Sequence, residues 1–173
     1  MLRPDTPPVA GRPELLVGPV LRYVDDTRAT IWVETDQPCS VAVLDAQATT
    51  FAVHDHHYAL VVVEGLEPGR EYPYQVHLDG REVWPLPDQD DPPSRIRTDR
   101  DDEPLTLLFG SCRHATPRSG GLRYDPDALD AYAERLSRDP DRGPWPDRLF
   151  LLGDQVYADE PSHEIRDAIR ERG

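Results

Sequence analysis

The 173-residue chain is predicted to fold as an antiparallel β-sandwich followed by an α/β unit that opens with strand, helix, strand. Three observations predict this. From Leu15 to about Thr98, short runs of β-forming residues are separated by turn signals at sandwich spacing. From Asp88 to Asp102, proline and charge replace that pattern and read as linker sequence. Beyond Pro104, two short apolar runs flank a segment with helical spacing. The predicted division is a loose N-terminus at 1–14, the sandwich at 15–98, a linker at 99–104 and the α/β unit at 105–173.

In the first part, Leu16 to Tyr23 precedes an Asp25-Asp26 turn, and Ala29 to Glu34 follows in alternation. Ser40 to Leu44, Thr50 to His54, Tyr58 to Val63 and Tyr72 to Leu78 continue the strand series. In the second part, Leu105 to Phe109 reads as a buried strand of the parallel type, ending at Gly110-Ser111-Cys112-Arg113. Asp125 and Pro126 suit a helix N-cap and first helical position. Leu129, Tyr132, Ala133 and Leu136 then recur on one helical face. Leu149 to Leu152 forms the next buried strand and stops at Gly153-Asp154. A final helix is expected from Ser162 to Arg172.

Composition narrows the function. Hydrophobic residues make up 38% and charged residues 30%, which supports a packed core and excludes general disorder. The 19 basic residues, all arginine, face 33 acidic ones, for a net charge of −14. Such a surface repels nucleic acid and anionic membranes, so neither is an expected partner. An anionic substrate would have to be held through bound cations. No stretch approaches the ~18 apolar residues of a membrane span, and no export signal is visible before Gly18. A soluble, cytoplasmic protein is expected. Cys39 and Cys112 fall in different predicted domains, so no disulfide is expected between them.

The chemistry concentrates after the two apolar runs of the second part. A strand–helix–strand unit is right-handed and parallel, so Cys112 and Asp154 are expected at the same sheet edge, where open α/β sheets place ligands. Asp154 and Tyr157 stand three apart, one helical turn, and can face one point. Thiolate, carboxylate and phenolate together suit ferric iron or another Lewis-acidic cation. Singly, each is more ordinary: Cys112 as a small buried hydrophobe, Asp154 as a turn residue, Tyr157 as packing.

Two resemblances follow from these residues. Leu66, Pro68, Gly69 and Tyr72 resemble the tyrosine-corner turn of fibronectin type III-like domains, which implies a structural hydroxyl on Tyr72 and a buried aromatic at Trp32. The stretch Phe109 to Arg113, with Leu152 to Glu160, resembles the alkaline phosphatase D (PhoD-like) branch of the metallophosphoesterases. There a Ser-Cys follows the first strand and Gly-Asp-x-x-Tyr the second, behind a small β-domain. The resemblance implies Fe3+ held by Cys112, Asp154 and Tyr157, with Ca2+ beside Asp154. It also implies metal-dependent hydrolysis of phosphate esters. That family carries further Asn-His and His-rich ligand motifs later in the chain. The remainder of the catalytic domain is therefore expected downstream, and the 173 residues alone are expected to be inactive.

Two rival readings remain. Cys112 through Arg118 and Ser119 fits the C-x5-R-[S/T] loop of cysteine-dependent phosphatases, with Cys112 as nucleophile. Gly120-Gly121 is a poor opening for the helix that loop requires. The other rival is a non-catalytic binding sandwich with an incomplete catalytic half. Among lesser features, Arg113 and His114 are candidate substrate contacts. Asp159 and Glu160 are candidates for calcium or for capping the next helix. His54, His56 and His57 are expected to be solvent-exposed.

Overall fold

Alternation of apolar and polar residues in Ala29–Thr35 puts Ala29, Ile31 and Val33 on one face of a strand, and all three are fully buried. The structure is a computed structural model and describes residues 11–87, 93–100, 104–112, 127–138, 145–155, 163 and 166–167. It divides into two units, residues 1–103 and 104–173.

The first unit is mostly β-sheet. Its strands are β1 (Leu15–Val24), β2 (Ala29–Thr35), β3 (Ser40–Val43), β4 (Ala46–Thr49), β5 (Phe51–Val53), β6 (His56–Val63), β7 (Glu71–Pro73), β8 (Val76–Leu78), β9 (Arg81–Trp84) and β10 (Arg95–Arg97). One antiparallel sheet runs in the order β1-β2-β6-β5 and another in the order β4-β3-β8-β9, while β10 pairs with β7. Val61 of the first sheet, Val41, Val43, Val76 and Leu78 of the second, and Ile96 of β10 belong to one core, all fully buried. A core shared by two four-stranded sheets is consistent with a β-sandwich.

The Leu66-to-Tyr72 turn is tied by side chains. Gly69 takes a φ of 67°, a conformation glycine adopts without penalty. The Glu67 N–H donates to Tyr72 Oη at 2.7 Å. Thr98, 4% exposed, satisfies its hydroxyl within the same turn: it donates to the Glu67 carbonyl at 2.6 Å and accepts from the Arg70 N–H at 2.9 Å.

Several expectations need correcting. Trp32 is not buried: with Ile31 and Val33 facing the core, strand parity sends it to the outer face, where it is partly exposed. The expected strand from Thr50 to His54 is β5, shortened to Phe51–Val53; β4 ahead of it was not expected, and forms because Leu44, with a φ of 51°, turns the chain back so that β4 pairs with β3. The expected Tyr72-to-Leu78 strand is likewise split between β7 and β8, which join different sheets. His54 lies in a turn with a φ of 52°. His56 is exposed but not solitary, its Nδ1 standing 2.6 Å from Glu34 Oε1.

The second unit contains β11 (Leu107–Gly110), α1 (Ala128–Arg138) and β12 (Arg148–Leu151). β11 and β12 pair in parallel, from Leu107 opposite Arg148 to Gly110 opposite Leu151. The pairing begins at a two-way clamp: the Thr106 N–H donates to Asp147 Oδ2 at 2.8 Å, and the Asp147 N–H to the Thr106 carbonyl at 2.9 Å. The strands are not buried as expected. Phe109 is 71% and Leu152 64% exposed, since among the described residues this sheet has two strands and little to cover its faces.

Asp127 caps α1. Its Oδ1 accepts from the Leu129 N–H at 3.0 Å while its carbonyl accepts from the Ala131 N–H at 2.9 Å. Asp125 and Pro126 lie outside the described residues. Leu129, Tyr132 and Leu136 form the partly covered face of α1, whereas Ala133 is exposed. Of the expected last helix, His163, Arg166 and Asp167 are described, and they are helical.

Candidate functional site

Parallel pairing carries both chains past the ends of β11 and β12 in the same direction. The Leu152 N–H donates to the Gly110 carbonyl at 2.8 Å, and the Cys112 N–H to the Gly153 carbonyl at 3.2 Å. The ladder therefore runs on into the two loops, and Cys112 arrives beside Asp154 at the carboxyl end of the sheet. The Cys112 thiol lies 3.4 Å from Asp154 Oδ2, positioned to donate to it.

Both residues occupy the left-handed region of backbone space, with φ of 58° at Cys112 and 52° at Asp154. Between them in the ladder, Gly153 has a φ of 127°. Asp tolerates this conformation moderately well; cysteine does so rarely. Strained residues of this kind concentrate where a side chain must be aimed. Here the strain falls on the two residues whose side chains touch.

Ser111, present in the sequence as half of the Ser-Cys pair but with no role expected of its side chain, completes the constellation. Its Oγ is 3.5 Å from Cys112 Sγ and donates to the Gly153 carbonyl at 3.3 Å. The same carbonyl accepts from Gln155 Nε2 at 2.5 Å. Hydrogen bonds from both loops thus converge on Gly153, fixing the loop that bears Asp154 to the loop that bears Cys112.

Cys112 is exposed, while Cys39 is buried in the first unit. Burial pushes the Cys39 thiol up from its ordinary value, with a smaller opposing effect from the Thr35 hydroxyl. Cys39 is therefore a packing residue, and Cys112 is the thiol open to chemistry.

The donor set can be tested against a cation by simple geometry. A thiolate and a carboxylate oxygen sharing one ion at bond lengths of about 2.3 and 2.1 Å stand roughly 3.1–3.6 Å apart for angles between square and tetrahedral. The observed 3.4 Å lies inside that window. Among the described residues, no group of three or more His, Cys, Asp and Glu side chains gathers to hold a metal. Tyr157, the third expected ligand, lies outside the described residues, as do Arg113, His114, Arg118, Asp159 and Glu160.

Residues 12–96 match a sequence family described as a domain of unknown function (DUF7800). That span coincides with the β-rich first unit and ends before Cys112 and Asp154. No curated protein and no solved structure matches the chain. No helix among the described residues is long and apolar enough to cross a membrane.

Proposed function

We propose that the second unit carries one corner of a metal-dependent phosphoesterase site of the PhoD-like kind, behind a fibronectin type III-like β-domain. The observation that carries this reading is the Cys112–Asp154 contact of 3.4 Å, formed by two residues held in left-handed backbone at the carboxyl end of a parallel strand pair. The β-domain assignment is supported by the Tyr72 hydroxyl engaging the Glu67 N–H across the turn.

In this reading Cys112 and Asp154 hold a cation, with Tyr157 as third donor; Fe3+ suits that thiolate, carboxylate and phenolate set, and Ca2+ suits further oxygen donors near Asp154. When bound, a multivalent cation supplies polarisation of phosphoryl oxygens and activation of water for in-line attack. Ser111 and the Gly153 carbonyl keep the two loops in register, so that sulfur and carboxylate oxygen share one point. Because the chain is strongly acidic, cations and not a basic surface would receive the anionic phosphate ester. The competing cysteine-nucleophile reading is not favoured. Activated cysteines use a cationic or imidazole neighbour, and the neighbour of Cys112 among the described residues is the Asp154 carboxylate.

The test is metal content after loading with iron and calcium, on the wild type beside Cys112→Ala, Asp154→Ala and Tyr157→Phe. Each substitution is expected to lower bound iron at least tenfold, in line with the loss of one ligand of a chelate. Iron content unchanged in all three would remove the assignment. Iodoacetamide-sensitive phosphatase activity that survives chelation would replace it with the cysteine mechanism.

A further inference from the structure

Three donors meet at the Gly153 carbonyl: the Cys112 N–H at 3.2 Å, the Ser111 hydroxyl at 3.3 Å and Gln155 Nε2 at 2.5 Å. A carbonyl oxygen has two lone pairs, so one of the three is surplus. The Cys112 N–H is fixed by the backbone, and the Gln155 contact is the shortest. The Ser111 contact is the longest, and it lies beyond the roughly 2.5–3.0 Å of an ordinary O–H···O bond.

Ser111 is also the donor that can leave without moving a heavy atom, because rotation about its Cβ–Oγ bond redirects the hydrogen. Cys112 Sγ, 3.5 Å from the hydroxyl oxygen, is a second acceptor within its reach. Side chains of adjacent residues diverge on an extended strand. These two meet because Cys112, with a φ of 58°, has left extended backbone. The sulfur aims its own hydrogen at Asp154 Oδ2, 3.4 Å away, so its lone pairs are open to accept.

Ligation changes which acceptor is the stronger, because a cysteine that holds a metal does so as thiolate. Hydrogen bonds to charged acceptors are roughly twice as strong as neutral ones. We infer, on the metal reading proposed above, that Ser111 is a positioning residue for the sulfur. With the site filled, its hydroxyl turns from the Gly153 carbonyl to Cys112 Sγ and limits how much charge the sulfur gives to the ion. Hydrogen bonds to ligating sulfur are one of the means by which proteins tune a metal. A sulfur that donates less leaves the ion more positive, and a more positive ion polarises a phosphoryl oxygen more strongly.

Ferric iron loaded into the full chain is the probe, read by the iron–sulfur stretch in resonance Raman spectra and by the midpoint potential of the iron. Ser111→Ala removes the donor, so the sulfur should bind more strongly: the stretch should rise and the potential should fall. Ser111→Thr keeps a hydroxyl and should return both toward wild type. Cys112→Ala, which has no sulfur, should lack the stretch. A stretch and potential unchanged in Ser111→Ala overturn the inference. They do so even where that variant holds about tenfold less iron, since iron loss alone marks a tie between the two loops through Gly153. A Ser111→Thr chain that matches alanine in both readings overturns it too. A wild type that shows no iron–sulfur stretch removes the metal reading as well, whereas a stretch that is present but indifferent to Ser111→Ala removes the role of Ser111 alone.

Discussion

The strain at Cys112 gives a measurable signature, separable from the loss of its thiol. Cys112→Ala and Cys112→Gly both remove the sulfur, so their difference reports on the backbone alone. With a φ of 58°, alanine at this position keeps about 1–2 kcal/mol of strain. Glycine is free of that strain but loses roughly 0.5–1 kcal/mol more chain entropy on ordering. The difference makes Cys112→Gly about 0.5–1 kcal/mol the more stable of the pair. For a unit of this size that corresponds to roughly 3–6 °C in Tm. Trp145 is a suitable reporter, because it is the one tryptophan of the second unit. Replacing Trp32 and Trp84 by Phe in both variants leaves its emission to follow that unit, and any cost of the replacements cancels. The same order is expected for Asp154→Gly against Asp154→Ala, from a φ of 52°. An alanine variant that melts at or above its glycine counterpart would refute the strained geometry. With it would go the argument that these residues are held for their side chains.

Two further outcomes concern the first unit. Tyr72→Phe deletes the acceptor of the Glu67 N–H and should cost about 1 kcal/mol, a fall of roughly 4–8 °C in thermal unfolding of that unit; no change would deny the hydroxyl its role in the turn. Glu71 accepts from Arg97 Nε at 3.1 Å and from Arg95 Nη1 at 2.8 Å, and these bonds, that of Arg97 first, hold its carboxyl below the ordinary value of 4.5. A lowered carboxylate stabilises the fold above that ordinary value and ceases to do so as pH falls through the lowered one. The advantage of the wild type over Glu71→Gln in urea unfolding should therefore shrink on acidification; a gap that widens toward acid would contradict the pairing.

What could be read from the sequence follows from which interactions are local. The alternation of Ile31 and Val33 and the Leu66-to-Tyr72 turn are decided within a few residues, and both are visible in the chain. The meeting of Cys112 with Asp154 was legible for a different reason: parallel strands must end at a common edge, whatever the intervening sequence. Short strands such as β9 and β10 carry too few residues for a period to show, and they pair only because the core already exists. Trp32 departs from the buried aromatic that the fibronectin type III-like resemblance implies, because the parity of its own strand, set by Ile31 and Val33, turns it outward. The left-handed backbone at Cys112 has no local signal, since cysteine rarely adopts it; it accompanies the hydrogen bonds that Ser111 and Cys112 donate across the ladder to the Gly153 carbonyl. The exposure of β11 and β12 among the described residues was equally invisible, because an apolar run specifies the need for cover and not its presence.

The pairing of β11 with β12 also acts as a ruler for the chemistry at its end. Adjacent residues on a strand are displaced by about 3.3 Å and point to opposite sides. A slip of a single residue between Leu107 and Leu151 would therefore pull sulfur from carboxylate and turn one of them to the far face. The spacing that matters is counted from the Thr106–Asp147 clamp along each strand, and not along the chain that joins them. Evolution can thus lengthen or shorten the connection while the chemistry stays put, whereas one deletion on either side of the ladder would dismantle it.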